Sequence, residues 1–205
     1  GLGDVYKRQV LLFYHFVAAL GLVGFSLLFN DVITVWLGSK YLFDSKTVFI
    51  IAFNFYITNA ITPIWMYREA NGLFDQVKYL MLIRAAINIV LSVALGKICG
   101  TFGILLATAI SLIATNFWYE PNILFKEIFE APVLNYWTGQ IKYFSATVLG
   151  LIIAYYSVRN IPNGIIMLLI KAVIIAVSVS LPFFAVSCKS TEFKTATDFL
   201  KTRRK

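Results

Sequence analysis

The sequence predicts an all-α fold, a polytopic transmembrane helical bundle, and three observations carry that prediction. Of 205 residues, 60% are apolar and only 14% charged, whereas soluble domains carry roughly 25% charged residues. Mean hydropathy is +0.79, and the apolar residues gather in runs of about 20, the helix length that crosses a hydrocarbon core about 30 Å thick. Aromatic residues supply 16% of the chain, with 18 Phe and 11 Tyr. That usage suits lipid-facing surface and the rings found at membrane boundaries.

Six runs read as membrane spans. Val10 to Phe29 and Thr47 to Met66 carry no charge. Tyr79 to Gly96 contains only Arg84, and Ile98 to Tyr119 follows after a tight turn around Lys97 and Gly100. So short a connection makes those two an antiparallel hairpin. Tyr143 to Val158 is a shorter fifth run, and Asn163 to Ser187 a sixth that holds Lys171 and Pro182. Between the first two runs, Asn30 to Lys46 suits a short interfacial segment with Trp36 at headgroup level. Between the fourth and fifth, residues 120–142 read as an amphipathic helix on the membrane surface, because Ile123, Leu124, Ile128 and Phe129 alternate with Lys126, Glu127 and Glu130. Pro121 is expected to end the preceding helix and start this one. Residues 10–119 thus form a four-helix group, residues 143–188 a final pair, and residues 189–205 a basic tail.

The first nine residues stand apart. Asp4 to Gln9 resembles the translation of a transposon end used in sequencing libraries, so residues 1–9 are expected to be non-native; a cytoplasmic loop ending in Lys-Arg is the alternative.

A net charge of +8 could signal nucleic acid binding, but the basic residues sit in the loops and the tail, so no nucleic-acid partner is expected. The loops 67–78 and 120–142, Arg84 and the tail together hold 11 Lys and Arg; the opposite loops hold Lys40, Lys46, Lys97 and Arg159. The richer side is predicted to be cytoplasmic, which places the C-terminus there. The tail supplies six of those 11, and without it the bias falls to 5 against 4.

In lipid, helices associate through small residues and interhelical hydrogen bonds. Asn54, Thr58 and Thr62 share one face of the second span, and Arg84, Asn88 and Ser92 share one face of the third. Thr108, Ser111 and Thr115 line the fourth, where Gly103 and Ala107 form a small-xxx-small pair. Helix packing accounts for the uncharged members. An intramembrane Arg costs at least about 2.5 kcal/mol at the bilayer centre, which makes Arg84 a functional candidate, with snorkelling to the surface as the competing account. Lys171 has no acidic partner within the predicted spans; it either contacts a lipid phosphate or the rest of the protein, or snorkels outward. His15, the only His, reads as a packing hydrogen-bonder.

Paired carboxylates, metal-ligand clusters, nucleophile elbows and phosphate-cradling Gly loops are lacking in the sequence. Cys99 and Cys188 show neither zinc spacing nor a disulfide framework. The expectation is therefore no enzymatic reaction, no cofactor and no metal.

Several short motifs recur in a telling order: Trp36-Leu37-Gly38, Tyr67-Arg68-Glu69-Ala70-Asn71-Gly72-Leu73-Phe74, Ala86 to Ser92, Gly103 to Thr108, and Trp118-Tyr119-Glu120-Pro121. This succession, over roughly residues 30–135, resembles the polysaccharide exporters of the multidrug/oligosaccharidyl-lipid/polysaccharide (MOP) flippase superfamily; the last two helices match in hydropathy alone. The resemblance implies a 14-helix protein of the bacterial cytoplasmic membrane, of which this chain is similar to helices 9–14, the N-terminal half being missing. It implies translocation of an undecaprenyl-linked oligosaccharide by alternating access, with Arg68 and Arg84 at the matching cationic positions and Asn88 as a polar neighbour. The implied partners are that lipid-linked oligosaccharide, membrane lipids and the missing half. A multidrug or ion-coupled antiporter of the same superfamily is the alternative, which would show acids inside its helices. A membrane glycan ligase or polymerase would need acids or His at an outward loop, where only Asp31 and Asp44 lie.

Overall fold

The computed structural model describes residues 2–129 and 132–187, with side chains from residue 9 to residue 186. The basic tail predicted at 189–205 lies outside the described residues. Helix makes up 88% of the structure, and no strand occurs among the described residues. Five helical segments are long and apolar enough to cross a membrane: Gln9–Trp36, Ser45–Ala70, Lys78–Phe129, Leu134–Val158 and Ile165–Val186. A backbone without water must bond to itself, and a helix does so within one segment.

Helix α1 (Leu2–Trp36) is central. Its Ala18 and Leu22, one turn apart, join a core with α2 (Ser45–Ala70), and its Ala19 and Val23 join a second core with α5 (Leu134–Val158) and α6 (Ile165–Ser187). Small residues allow the close approaches: the Phe55 ring covers Gly21, and a Cβ at Gly150 would lie 3.1 Å from the Val179 Cα.

Helix α3 (Lys78–Ala114) reverses at Gly100, whose φ of 59° and ψ of −139° no other residue type adopts at low cost. In an unbroken helix, Asn88 and Ser111 would stand about 34 Å apart. Instead the Asn88 amide donates to the Thr108 and Ser111 hydroxyls, each at 3.3 Å. The two limbs are therefore antiparallel. They touch at Gly103, where any Cβ would overlap the Leu95 carbonyl. The sequence-predicted reversal near Gly100 is thus present, inside what is otherwise one 52-residue helical stretch.

Three expected boundaries need correction. Chain direction changes at Thr115 (φ −119°, ψ −89°) rather than at Pro121, which lies buried inside α4 (Asn116–Leu124). Residues 120–142 are not a separate surface helix: α4 passes into a π-helical turn, Phe125–Phe129, and α5 already begins at Leu134. Asn135, Gln140 and Lys142 dilute the hydropathy there, yet Tyr136 and Gln140 of the same turns are buried against the bundle. The expected interfacial segment at 30–46 is shorter too, since α1 continues to Trp36, whose side chain is exposed.

Contacts sort the helix ends. The α1 start, α2 end, α3 start, α4 and α5 start meet at what we term the Arg68 end, and the α6 end joins them through Phe183 packed on Phe16 and Tyr143. The α1 end, α2 start, the Gly100 turn, the α5 end and the α6 start lie at the other, the Gly100 end. A direct check of the reversal is disulfide cross-linking of Asn88→Cys with Ser111→Cys in a Cys99→Ser, Cys188→Ser background. Efficient intramolecular cross-linking is expected, whereas a straight helix would yield none.

Candidate functional site: charges held inside the bundle

Among the described residues, two ion pairs and one arginine account for the charge in the interior of the helical bundle. In the last turn of α2, the buried Arg68 donates from Nη1 to Glu120 Oε2 at 2.7 Å and from Nη2 to Glu69 Oε1 at 2.9 Å. Glu120 is 2% exposed. Its other oxygen accepts from Asn116 Nδ2, and the Thr115 hydroxyl lies 2.9 Å from Asn116 Oδ1. The Thr115 hydroxyl also reaches the Ser111 carbonyl at 2.6 Å. Asn116 and Glu120 share a face because they are one helical turn apart. Glycine ends α2 just beyond: Gly72 takes φ 68°, and the amide of Leu73 returns to the Arg68 carbonyl at 3.1 Å.

In the structure Arg68 is buried, both its terminal nitrogens bond carboxylates, and it clamps α2 to α4. The arrangement also moves one acid from the expected surface segment at 120–142 into the bundle. Glu120 lies inside α4, because the helix turns at Thr115 and carries the aromatic run Phe117-Trp118-Tyr119 onward past it.

Arg84 is the different case. It lies six residues into α3, about 9 Å from the helix start, and is half-buried. Its guanidinium carbon stands 5.9 Å from the centre of the Trp65 ring. Among the described residues no carboxylate lies within ion-pair distance of it, although Glu120 is near enough to act through its field. The cation is thus oriented by an aromatic face without being neutralised.

The uncharged stripe residues divide. Asn88, Thr108 and Ser111 come together across the α3 turn, and Asn54 Nδ2 donates to the Leu105 carbonyl at 2.9 Å, joining α2 to the returning limb. Thr58 is exposed and its carbonyl accepts from Thr62 at 2.8 Å within the same helix, while Ser92 is half-buried. Asn88 thus holds the two limbs of the hairpin together, one helical turn along α3 from Arg84.

At the Gly100 end, Lys171 Nζ donates to Asp31 Oδ2 at 2.6 Å and to Asn163 Oδ1 at 2.9 Å, with the Lys171 side chain 5% exposed. The expectation of an unpartnered Lys171 fails because Asp31 belongs to α1 and not to a loop. The pair ties α1 to α6 across 140 positions of sequence. Near the opposite end, His15 is 1% exposed, with Nδ1 2.7 Å from the Leu11 carbonyl and Nε2 2.8 Å from Gln140 Oε1. Its ring lies against Tyr143 at 4.9 Å between centroids. That is the geometry of a packing hydrogen-bonder between α1 and α5.

Sequence reasoning missed Glu120, Asp31 and Gln140. The signal for Glu120 was its one-turn spacing from Asn116 within an aromatic run. For Asp31 the signal was a helix able to continue through Val-Ile-Thr-Val-Trp. Among the described residues the fold is all-helical, with five helical segments long and apolar enough to cross a membrane. Comparison with protein-family models, with curated proteins and with solved structures returns no match.

Removing one partner of a buried pair strands the other charge, which costs about 3–5 kcal/mol. Glu120→Ala and Arg68→Ala should each lower the unfolding midpoint in detergent markedly, and Arg68→Met with Glu120→Leu should recover most of that loss. Additive loss in the double variant would show the two side chains to be energetically independent.

Proposed function

We propose that this chain is part of a flippase that carries an undecaprenyl-linked oligosaccharide across the bacterial cytoplasmic membrane. In this reading the two limbs of α3 cross separately, making six crossings, and the Arg68 end faces the cytoplasm. The reading rests on the motif succession between Trp36 and Pro121, and the observation that carries it is Arg84. A diphosphate entering an apolar medium loses its hydration and needs cationic or hydrogen-bonding replacements. Arg84 offers a cation within a span, with no carboxylate paired to it among the described residues and an aromatic ring to hold it. Arg68 keeps the α2–α4 wall rigid beside it.

Exposed apolar side chains support the need for a further lobe. Leu82, Ile83, Ile89, Val90 and Val93 on the first limb of α3 are all more than half exposed. Lipid covers some of that surface and additional helices of the same protein the remainder. Substrate moves and no covalent bond is made.

Glu120 favours one second reading, an ion-coupled antiporter of the same superfamily, since it is an acid within the bundle. Its two oxygens are already occupied by Arg68 and Asn116, so coupling would require that clamp to open.

Losing one charge-assisted contact of about 1.5–3 kcal/mol corresponds to roughly tenfold or more in affinity. Arg84→Ala in the full-length protein should therefore reduce surface-glycan export by about that factor while leaving membrane abundance close to wild type, and Arg84→Lys should retain part of the activity. Normal export at normal abundance would remove Arg84 from the substrate path. Export that instead collapses with a proton or sodium gradient, and with Glu120→Gln at normal abundance, would favour the antiporter.

A further inference from the structure

The charged cluster at the Gly100 end is built around a cleft. Ser26 and Asp31 of α1, Tyr155 and Arg159 near the end of α5, and Asn163 and Lys171 around the start of α6 line a cavity of about 550 Å³. Two cations meet one carboxylate there, so the cleft is cationic by one charge. Asp31 neutralises Lys171, and Arg159 remains exposed at the mouth, its guanidinium carbon 5.0 Å from the Tyr156 ring centre. Inside, the Ser26 hydroxyl is buried without a hydrogen-bond partner. A buried hydroxyl without a partner is costly, and a ligand acceptor would satisfy it.

A second groove opens from the first. Ser26, Leu27 and Tyr155 line both, and the groove continues along Phe49, Leu151 and Ile152 with a volume of about 420 Å³. Leu151 lies one helical turn behind Tyr155, so the groove runs from the helix ends towards the middle of the span. Polar cleft and apolar groove are thus joined at Ser26.

Depth agrees with this pairing. Lys171 lies about 9 Å inside α6 and Asp31 about 7.5 Å from the end of α1, whereas Arg159 follows the last residue of α5. The cleft therefore spans the level at which hydrocarbon gives way to headgroups.

We propose that this cleft and groove bind one phospholipid, its headgroup phosphate in the cleft and an acyl chain in the groove. Arg159 and the unused N–H of Lys171 supply charge-assisted donors to the phosphate, Ser26 donates its hydroxyl, and the carboxamide nitrogen of Asn163 can add a fourth contact. Asp31 holds Lys171 in place and limits the site to a single excess charge. The site depends on membrane insertion and not on the export reading, because it lies between α1, α5 and α6 and away from Arg84.

The test is lipid retention by the full chain purified in detergent, measured by native mass spectrometry after incubation with phosphatidylglycerol, phosphatidylethanolamine, or diacylglycerol of matched chains. Both phospholipids should be retained about tenfold better than diacylglycerol, the change expected for one charge-assisted contact. Arg159→Ala and Ser26→Leu, which respectively remove the mouth cation and plug the junction, should each reduce retention by a similar factor at an unchanged unfolding midpoint. Lys97→Ala, which removes one exposed charge at the same end, should leave it unchanged. Equal retention of diacylglycerol, or retention indifferent to both cleft substitutions, overturns the proposal. Displacement of the lipid by millimolar inorganic phosphate overturns it as well, by assigning the cleft to a soluble anion.

Discussion

The most deeply buried charges of this bundle each stand beside an opposite charge, and that constraint links its helices. Taking an ion out of water costs several kcal/mol, which attraction repays only at close range with the remaining donors and acceptors satisfied. Arg68 and Glu120 meet this condition between α2 and α4, and Asp31 and Lys171 meet it between α1 and α6. Each pair joins helices distant in sequence, and each stands near a different end of the bundle. Between them the cores combine small and branched apolar side chains with aromatic rings such as Tyr56, Tyr136 and Phe183. The ion pairs set which helix faces which, and the apolar packing fills in around them.

Arg84 draws its meaning from that background. Glu120, the carboxylate whose field reaches it, is already bound by Arg68 and Asn116. What remains is a cation held against Trp65 with its charge uncompensated at short range. On the proposed export reading, a site that accepts a phosphorylated amphiphile and later releases it would use such a group. A fully neutralised Arg would attract nothing, and a permanently exposed one would bring no selectivity.

The hairpin in α3 shows how far a single backbone position can matter. Gly100 supplies a conformation closed to side-chain-bearing residues, Gly103 supplies the contact, and Asn88 supplies the hydrogen bonds across it. All three were legible as residue types in the right order. Legible too were the helical class, the absence of strand signals and the reversal between Lys97 and Gly100. The partners of the charges were not, because hydropathy averaged over a window cannot see that Glu120 and Asp31 remain helical and turn inward.

By itself the sequence determined that this protein is helical and built for an apolar solvent, since so few charges cannot clothe a water-facing surface and apolar runs of this length must bond their own backbones. It determined where the chain could reverse, through glycine. Only the tertiary structure decided which charges are neutralised and which are left to act. Arg68 and Arg84 are alike as the cations singled out in the sequence; one lies 2.7 Å from a buried carboxylate and the other does not. The reason is physical: electrostatic cost in a low-dielectric interior depends on distances of a few ångströms between helices, and spacing along one chain carries no record of them.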